Sequence, residues 1–366
     1  MADFSGFSHG MGIGGWLTNY KRFNVLPDEW KTRLSPGDFE HFATYITRRD
    51  IDYIASLGMD HIRLGFDQVV LEAGPGEYRG EIWEHIDRFC DWCRAAGVNI
   101  VLNLHKAVGN YCDIPSAVTL MESPELQERF IAVWVAFEKR YSGRSEIVFE
   151  LLNEVNETRE SDIENWNRLA ARTIRAIREL NPSRRIVIGG TCANSCDRLR
   201  FLPEFDDNVI YTWHFYFPYE FTHQQGVLQP APLCYNRRMP YPGDIEIYRD
   251  FRRFVYRDEN PYPDDGRMDS NVLRRAMAPA FEYQAAHPGR TVWCGEFGTI
   301  RHCPLEWREN YMRDVISLLL EHRTPYCVWN YLSTPNDGNR FSLVDDDRRE
   351  ILSPRLAAVI RGEITA

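Results

Sequence analysis

Two glutamates, Glu154 and Glu296, carry the clearest chemical signal in this sequence. Each ends an apolar run typical of a buried β-strand, Ile-Val-Phe-Glu-Leu-Leu-Asn before Glu154 and Val-Trp-Cys-Gly before Glu296. Burying a carboxylate without partners is costly, so two such strands that end in one indicate a site rather than core packing. Two carboxylates that meet in one cleft can hydrolyse a glycosidic bond, one as proton donor and the other as nucleophile or base.

The composition favours a neutral substrate bound by a protein with a large aromatic-rich core. The 366 residues are 44% hydrophobic and 13% aromatic, and the formal net charge is −10. Lys and Arg form no block, so a nucleic-acid partner, which needs clustered positive charge, is not expected. No apolar run approaches the roughly 18 residues of a membrane span, so a membrane partner is not expected either.

The N-terminal segment and the cysteines bear on the cellular compartment. The first residues lack the basic head and apolar stretch of a signal peptide, which predicts a cytoplasmic protein, or a secreted one whose leader was removed. Nine cysteines cannot all pair within the chain. Cys90 and Cys93, and Cys192 and Cys196, are closely spaced, but histidines at zinc-ligand spacing are absent. We predict reduced thiols, no metal, no cofactor and a monomer.

Short apolar segments alternate with longer amphipathic segments along the chain, and eight of the short ones are predicted strands. These are Met11–Trp16, His61–Phe66, Asn99–His105, Glu146–Glu154, Arg185–Gly190, Val209–Tyr216, Val292–Phe297 and Tyr326–Tyr331. Six amphipathic segments are predicted helices from the spacing of their apolar residues. They are Tyr45–Leu57, Glu81–Ala96, Pro124–Tyr141, Ile163–Leu180, Val272–His287 and Leu305–Glu321. Continuously apolar strands favour a parallel sheet, and eight strand–helix repeats favour a closed (β/α)8 TIM barrel.

The chain is longer than the roughly 250 residues that such a barrel needs. The surplus follows the predicted sixth strand, where residues 217–269 are rich in Pro, Tyr and Arg and too numerous for an ordinary loop. We predict a small helical insertion that stands over the barrel mouth. No change in composition marks a domain boundary, so residues 1–366 are predicted to form a single catalytic domain.

Polar side chains follow one another at the carboxyl ends of the predicted strands, where an active site of this fold is built. In chain order they are Arg63, His105, Asn153, Glu154, His214, Tyr216, Glu296 and Trp329. An arginine favours the ionised form of a nucleophilic carboxylate, whereas desolvation and a neighbouring negative charge keep an acid protonated near neutral pH. The phenol can donate to the nucleophile, the amide can bind a sugar hydroxyl, and the indole offers an apolar face to a pyranose ring.

This ordered set resembles the signature of glycoside hydrolase family 5, and the likeness spans nearly the whole chain. That family has Arg after strand two, His after strand three, Asn-Glu ending strand four, His-x-Tyr on strand six, Glu on strand seven and Trp on strand eight. The resemblance implies that Glu154 is the acid/base and Glu296 the nucleophile of a retaining mechanism, with the other six residues binding substrate. Gly14-Gly15-Trp16 and the insertion are most similar to a compact endoglucanase subfamily that cuts β-1,4-glucan and mixed-linkage β-glucan.

Two positions depart from the family pattern, and four other functions remain open. Lys106 stands where many relatives carry a second histidine, and Val155 replaces the proline that often follows the acid. A β-mannanase or an exo-β-1,3-glucanase would use the same catalytic pair. A non-catalytic carbohydrate-binding protein would be expected to have lost one carboxylate. An NAD-dependent oxidoreductase would need the glycine pattern of residues 10–15 to lie between a strand and a helix, and the flanking sequence does not favour that.

Overall fold

Eight parallel strands close into a barrel in the computed structural model, which describes residues 4–18, 34–110, 119–226, 235–334 and 337–366. The strands follow one another around the barrel in chain order, and β8 pairs with β1 to close it. They are β1 (His9–Leu17), β2 (His61–Asp67), β3 (Asn99–Lys106), β4 (Ile147–Glu150), β5 (Ile186–Gly189), β6 (Val209–Phe215), β7 (Thr291–Phe297) and β8 (Tyr326–Val328). The predicted (β/α)8 barrel is therefore confirmed.

Helices cover the outside of the barrel between successive strands. The longer ones are α1 (Pro36–Thr44), α2 (Arg48–Ser56), α3 (Gly80–Ala96), α4 (Pro124–Tyr141), α5 (Ser161–Leu180), α6 (Ile245–Tyr256), α7 (Ser270–Ala286), α8 (Leu305–Glu321) and α9 (Pro354–Ile360). Local signals set their ends: the Ser123 hydroxyl accepts from the Leu126 amide ahead of Pro124, and Gly97 adopts a left-handed conformation after α3. None of the helices in the described ranges is long and apolar enough to cross a membrane.

Two predicted strands run several residues past the carboxyl ends of the observed ones, because the barrel ladder stops before the apolar run does. Strand β4 ends at Glu150 and β8 at Val328, whereas the prediction extended them to Glu154 and Tyr331. Most residues beyond the ladder are still buried and keep single backbone hydrogen bonds to the neighbouring strands. Asn153, Glu154, Trp329 and Asn330 among them line the cleft. Buried residues therefore continue past the end of the strand. The sequence cannot distinguish them from strand residues, because both belong to the same apolar run.

The lower interior of the barrel is a small apolar layer with one side chain from each of six strands. Its members are Val101, Val148, Val187, Ile210, Trp293 and Cys327, and Phe7 closes it from below. Phe7 stacks on Phe4, with ring centroids 4.6 Å apart. A closely packed layer of this kind is rigid and excludes water, so it forms a fixed base for the polar side chains above it.

Between β6 and β7 the described residues include a helical turn (Tyr219–Thr222), α6 and a two-stranded antiparallel ladder of Gly243–Asp244 with Arg267–Met268. This region packs onto the barrel through buried side chains such as Tyr241 and Phe251. The Tyr241 hydroxyl donates to the Asp314 carboxylate on α8 at 2.9 Å. These elements occupy the segment for which the sequence predicted a helical insertion, and residues 227–234 of that prediction lie outside the described ranges.

Candidate active site

A single cleft at the carboxyl ends of the strands contains seven of the eight predicted site residues. Its volume is about 780 Å³, within the size range of small-ligand sites. The predicted residues that line it are His105, Asn153, Glu154, His214, Tyr216, Glu296 and Trp329. The eighth, Arg63, lies directly beneath them and is fully buried. The structure thus brings together all eight residues that the sequence singled out.

The carboxylates of Glu154 and Glu296 face each other across this cleft. One oxygen of each, together with a ring nitrogen of His214, forms a set whose members lie within 4.8 Å of one another. The separation between carboxyl groups is about 5–5.5 Å in retaining glycosidases and about 6.5–9.5 Å in inverting ones, which need space for a water molecule. An oxygen–oxygen distance of at most 4.8 Å is compatible with the shorter class.

Both oxygens of Glu296 accept hydrogen bonds from fixed donors. Nη1 of Arg63 donates to Oε2 at 2.5 Å, and the Tyr216 hydroxyl donates to Oε1 at 2.8 Å. Charge-assisted bonds of this kind are short and orient a carboxylate strongly. Burial and the neighbouring Glu296 raise the pKa of Tyr216 well above its usual range, so the phenol keeps the proton that it donates.

Arg63 lies in the interior of the barrel rather than at a strand end, which corrects the sequence assignment. It is the third residue of β2, and its guanidinium extends upward through the barrel. Nε and Nη2 donate to Glu150 at 2.6 and 2.9 Å, and Nη2 also donates to Oδ1 of Asn153 at 2.5 Å. Burial acts to lower the pKa of Arg63, but Glu150 and Glu296 outweigh it and raise that pKa, so the cation is permanent.

Glu150 is a site residue that the sequence analysis missed. It ends β4, is completely buried, and holds Arg63 through two hydrogen bonds. The signal was present, because Glu150 is a charged residue within an apolar run and the cost of burying it requires a partner. Its partner is 87 positions away in the chain, and no local pattern could have named it.

Glu154 lies four residues beyond the end of β4 and is partly exposed to the cleft. Two hydrogen bonds fix the segment that carries it. The backbone N–H of Asn153 donates to the Leu104 carbonyl, and the Asn110 side chain donates to the backbone carbonyl of Glu154 at 3.0 Å. Burial raises the pKa of Glu154 to about 7, although Arg63 acts to lower it. A carboxyl group with such a pKa can hold a proton near neutral pH and release it to a leaving group.

The side chain of Trp329 forms one wall of the cleft, one residue beyond β8. His105 stacks against it with ring centroids 5.3 Å apart and planes 6° apart, while Nδ1 of His105 bonds Oδ1 of Asn103 at 3.0 Å. Burial lowers the pKa of His105 well below its usual range, with Arg63 and Lys106 acting in the same direction. The imidazole is therefore neutral, and it acts as a flat support for the indole.

Two glycines of β1 make room for the Trp329 ring. A Cβ atom on Gly12 would come within 2.5 Å of the ring, and one on Gly14 within 2.6 Å. The peptide bond between Trp329 and Asn330 is cis. The glycines that matched a dinucleotide pattern in the sequence thus include two that pack against the indole in the cleft.

His214 touches Glu154 from the neighbouring wall. Its Nδ1 is 2.9 Å from Oε1 of Glu154, and its Nε2 is 3.3 Å from Nδ2 of Asn194. Burial lowers the pKa of His214 to about 4, with Glu296 opposing and Arg63 reinforcing that shift, so the ring is neutral at working pH. Asn194 is the second residue that the sequence analysis missed, and only its place after Gly189-Gly190 hinted at a tight turn.

Glu154, His214 and Glu296 also form the one group of potential metal ligands found among the described residues. Their hydrogen bonds disfavour a cation there, since Arg63 already places a positive charge 2.5 Å from Glu296. The seven described cysteines are free thiols, and Cys192 and Cys196 lie in the cleft wall. Cys112 and Cys234 lie outside the described ranges.

Comparisons with known proteins agree with this geometry. Residues 28–334 match the profile of the cellulases of glycosyl hydrolase family 5. Endoglucanase C of Acetivibrio thermocellus is 35% identical over 355 residues, covering 94% of this chain and 95% of that relative. Cellodextrinase A of Ruminococcus flavefaciens is 30% identical over 306 residues, covering 82% and 78% respectively. A solved structure of Thermotoga maritima Cel5A with cellobiose shares the fold, with a TM-score of 0.72, 22% identity and 97% coverage of both chains.

Proposed function

Because the chain belongs to glycosyl hydrolase family 5, we infer that it is an endo-β-1,4-glucanase, a cellulase whose substrate is a β-glucan. One observation supports the chemistry above all others: oxygens of Glu154 and Glu296 lie within 4.8 Å of each other across the cleft. That spacing fits a mechanism in which one carboxylate bonds directly to the sugar. We propose a retaining double displacement with the roles that follow.

In the first step Glu296 is the nucleophile and Glu154 the general acid. A carboxylate oxygen of Glu296 bonds to the anomeric carbon while the glycosidic carbon–oxygen bond breaks. The proton of Glu154 passes to the departing oxygen, so the leaving sugar departs as a neutral alcohol. Arg63 and Tyr216 hold Glu296 in line for the attack through their bonds at 2.5 and 2.8 Å.

In the second step Glu154, now ionised, acts as the general base. It takes a proton from water as the water oxygen bonds to the anomeric carbon and the ester bond to Glu296 breaks. Glu296 returns to its carboxylate form, Glu154 regains its proton, and the anomeric configuration is retained. These two carboxyl groups account for every proton transfer, and the proposed reaction requires no cofactor.

The remaining cleft residues are proposed to bind the sugar at the scission point. Trp329 offers its indole face, which His105 supports from the other side. Asn153 is held by Arg63 at the cleft floor, where it lies beside the acid. We propose that mixed-linkage β-glucan is also accepted, because aromatic rings that line the cleft, Tyr216, Tyr219 and Trp329 among them, can pack on the apolar face of a glucose ring whichever linkage joins it to the next.

A substrate panel tests this function. Carboxymethyl-cellulose, lichenan, laminarin and mannan are each incubated with the enzyme and with Glu296→Ala as the matched blank, and reducing ends and product lengths are measured. We expect internal cleavage of the first two, and proton NMR of fresh product should show a β-anomer at the new reducing end. Release of only terminal units from laminarin, or cleavage of mannan alone, would contradict the substrate, and an initial α-anomer would contradict the mechanism.

A further inference from the structure

A short turn after β5 places a buried asparagine, Asn194, against His214. In the turn Thr191–Asn194, three successive residues from Cys192 to Asn194 have positive φ angles of 53–56°. Such a conformation is unfavourable for most residues with a side chain, and runs of it are found chiefly where the surroundings impose it. Gly189 provides the space, because a Cβ atom there would lie 2.2 Å from Oδ1 of Asn194.

The hydrogen bonds of Asn194 define which end of its amide faces the histidine. Nδ2 contacts both the backbone carbonyl oxygen of Asn153 and Nε2 of His214, the latter at 3.3 Å. A carbonyl oxygen can only accept, so the group that faces it must be the NH2 of the amide. The same NH2 donates to Nε2 of His214, which must therefore carry no proton. In a neutral imidazole the proton then resides on Nδ1, which is 2.9 Å from Oε1 of Glu154.

We propose that Asn194 is a positioning residue that sets the tautomer of His214 and thereby directs the acid proton of Glu154 into the cleft. Nδ1–H of His214 donates a hydrogen bond to Oε1 of Glu154, so the proton of the Glu154 carboxyl group is on Oε2. With the opposite tautomer, Nδ1 would be an acceptor, and the carboxyl group of Glu154 would donate its hydrogen bond to the histidine instead of pointing its proton at the leaving group. The inference rests on the proposed role of Glu154 as the acid.

The surroundings of His214 keep its ring neutral, so the ring carries one proton whose position matters. Burial lowers the pKa of His214 to about 4, although Glu296 and Glu150 act to raise it, so the neutral ring persists at working pH. The titratable groups that interact electrostatically with Glu154 are Arg63 and the phenols of Tyr216 and Tyr219. Neither phenol contacts Nε2 of His214, and Asn194 is the donor that the structure gives to that nitrogen.

Asn194→Ala and Asn194→Asp test the proposal with two substrates that differ in their need for an acid. Cellotetraose has a poor leaving group that must be protonated, whereas a dinitrophenyl cellobioside has a leaving group that departs unaided. We expect kcat/KM for cellotetraose to fall at least about tenfold more than for the aryl substrate in Asn194→Ala. Asn194→Asp should show a larger selective loss, because its carboxylate accepts from Nε2 and stabilises the wrong tautomer.

Asn99→Ala is the matched control, since its amide also donates to a backbone carbonyl, that of Gly6 at 2.8 Å, but at the opposite end of the barrel. It should leave the ratio between the two substrates unchanged. Equal losses on both substrates in the Asn194 variants would overturn the proposal, because a merely structural role lowers both alike. If the wild-type enzyme hydrolysed neither substrate, the proposed function would fail instead.

Nitrogen-15 NMR of histidine-labelled wild-type enzyme provides a readout that needs no variant of Asn194 to fold. The His214 resonances, identified by their absence in His214→Ala, should show a protonated Nδ1 and an unprotonated Nε2. A proton on Nε2 would refute the assignment whatever the kinetics show.

Discussion

Nη1 of Arg63 lies 2.5 Å from Oε2 of Glu296, although 233 positions separate the two residues in the chain. The same guanidinium bonds Glu150 on the opposite wall, so one buried cation joins β2, β4 and β7 beneath the cleft. Two carboxylates share one guanidinium in this space, so the removal of Arg63 leaves both negative charges without their cation. The catalytic geometry and the stability of the barrel interior therefore depend on the same contacts.

Arg63→Met should destabilise the protein strongly, because it leaves Glu150 buried with no cation. We expect a loss of about 3–5 kcal/mol in the free energy of unfolding, measured by urea denaturation at pH 7. Arg48→Met is the comparison, since Arg48 pairs with Asp52 on an exposed helix face and such pairs contribute little. Equal effects of the two substitutions would mean that the ion pairs beneath the cleft do not support the fold.

Glu296→Ala should reduce kcat by roughly 10⁴-fold or more, because the covalent step loses its nucleophile. The space vacated next to Arg63 and Tyr216 can admit a small anion. Azide should therefore restore part of the turnover of an activated aryl substrate and give an α-glycosyl azide. Activity that survives the substitution without added anion would show that another group attacks the sugar.

The pH dependence of kcat/KM should show an alkaline limb near pH 7. Glu154 must be protonated to act as an acid, and burial raises its pKa to about 7, so activity on cellotetraose is lost as the pH rises through that value. A dinitrophenyl cellobioside does not need the acid, and its profile should lack this limb. If both substrates lose activity together above pH 7, a different group controls the limb.

Much of this site could be predicted from the sequence because each strand is buried on both faces and therefore reads as an apolar run. A polar residue at the end of such a run is conspicuous, which is how Glu296, His214 and Trp329 were found. Arg63 was assigned to a strand end although it lies within β2, because a single sequence does not show where a ladder stops.

Contacts made across the barrel could not be predicted in the same way. Glu150 and Asn194 were missed because their partners, Arg63 and His214, lie 87 and 20 positions away. Neither has a local pattern, since a buried carboxylate or amide is explained only by what it faces. The turn after β5 has three non-glycine residues with positive φ, which local propensity disfavours and tertiary packing imposes.

Tyr216→Phe should lower kcat for cellotetraose by about 10- to 100-fold, because it removes the donor to Oε1 of Glu296 at 2.8 Å. The aromatic ring and its packing are kept, so the unfolding free energy should change little. Tyr311→Phe is the matched control, since its buried hydroxyl donates to the Phe217 carbonyl at 2.9 Å. That variant should lose about 1 kcal/mol of stability and retain its kcat. The reverse pattern would assign Tyr216 a structural role.

Gly14→Ala should impair sugar binding through Trp329 and not through the strand itself. The added methyl group would lie 2.6 Å from the indole, and the ring cannot retreat without breaking its stack on His105. We expect kcat/KM for cellotetraose to fall roughly tenfold, about 1.4 kcal/mol, within the range of a lost aromatic contact. Gly143→Ala, with no atom within 4 Å of the new methyl group, should match the wild type. In a Trp329→Ala background the Gly14 substitution should have no further effect, and a full additional tenfold loss there would show that Gly14 acts independently of the indole.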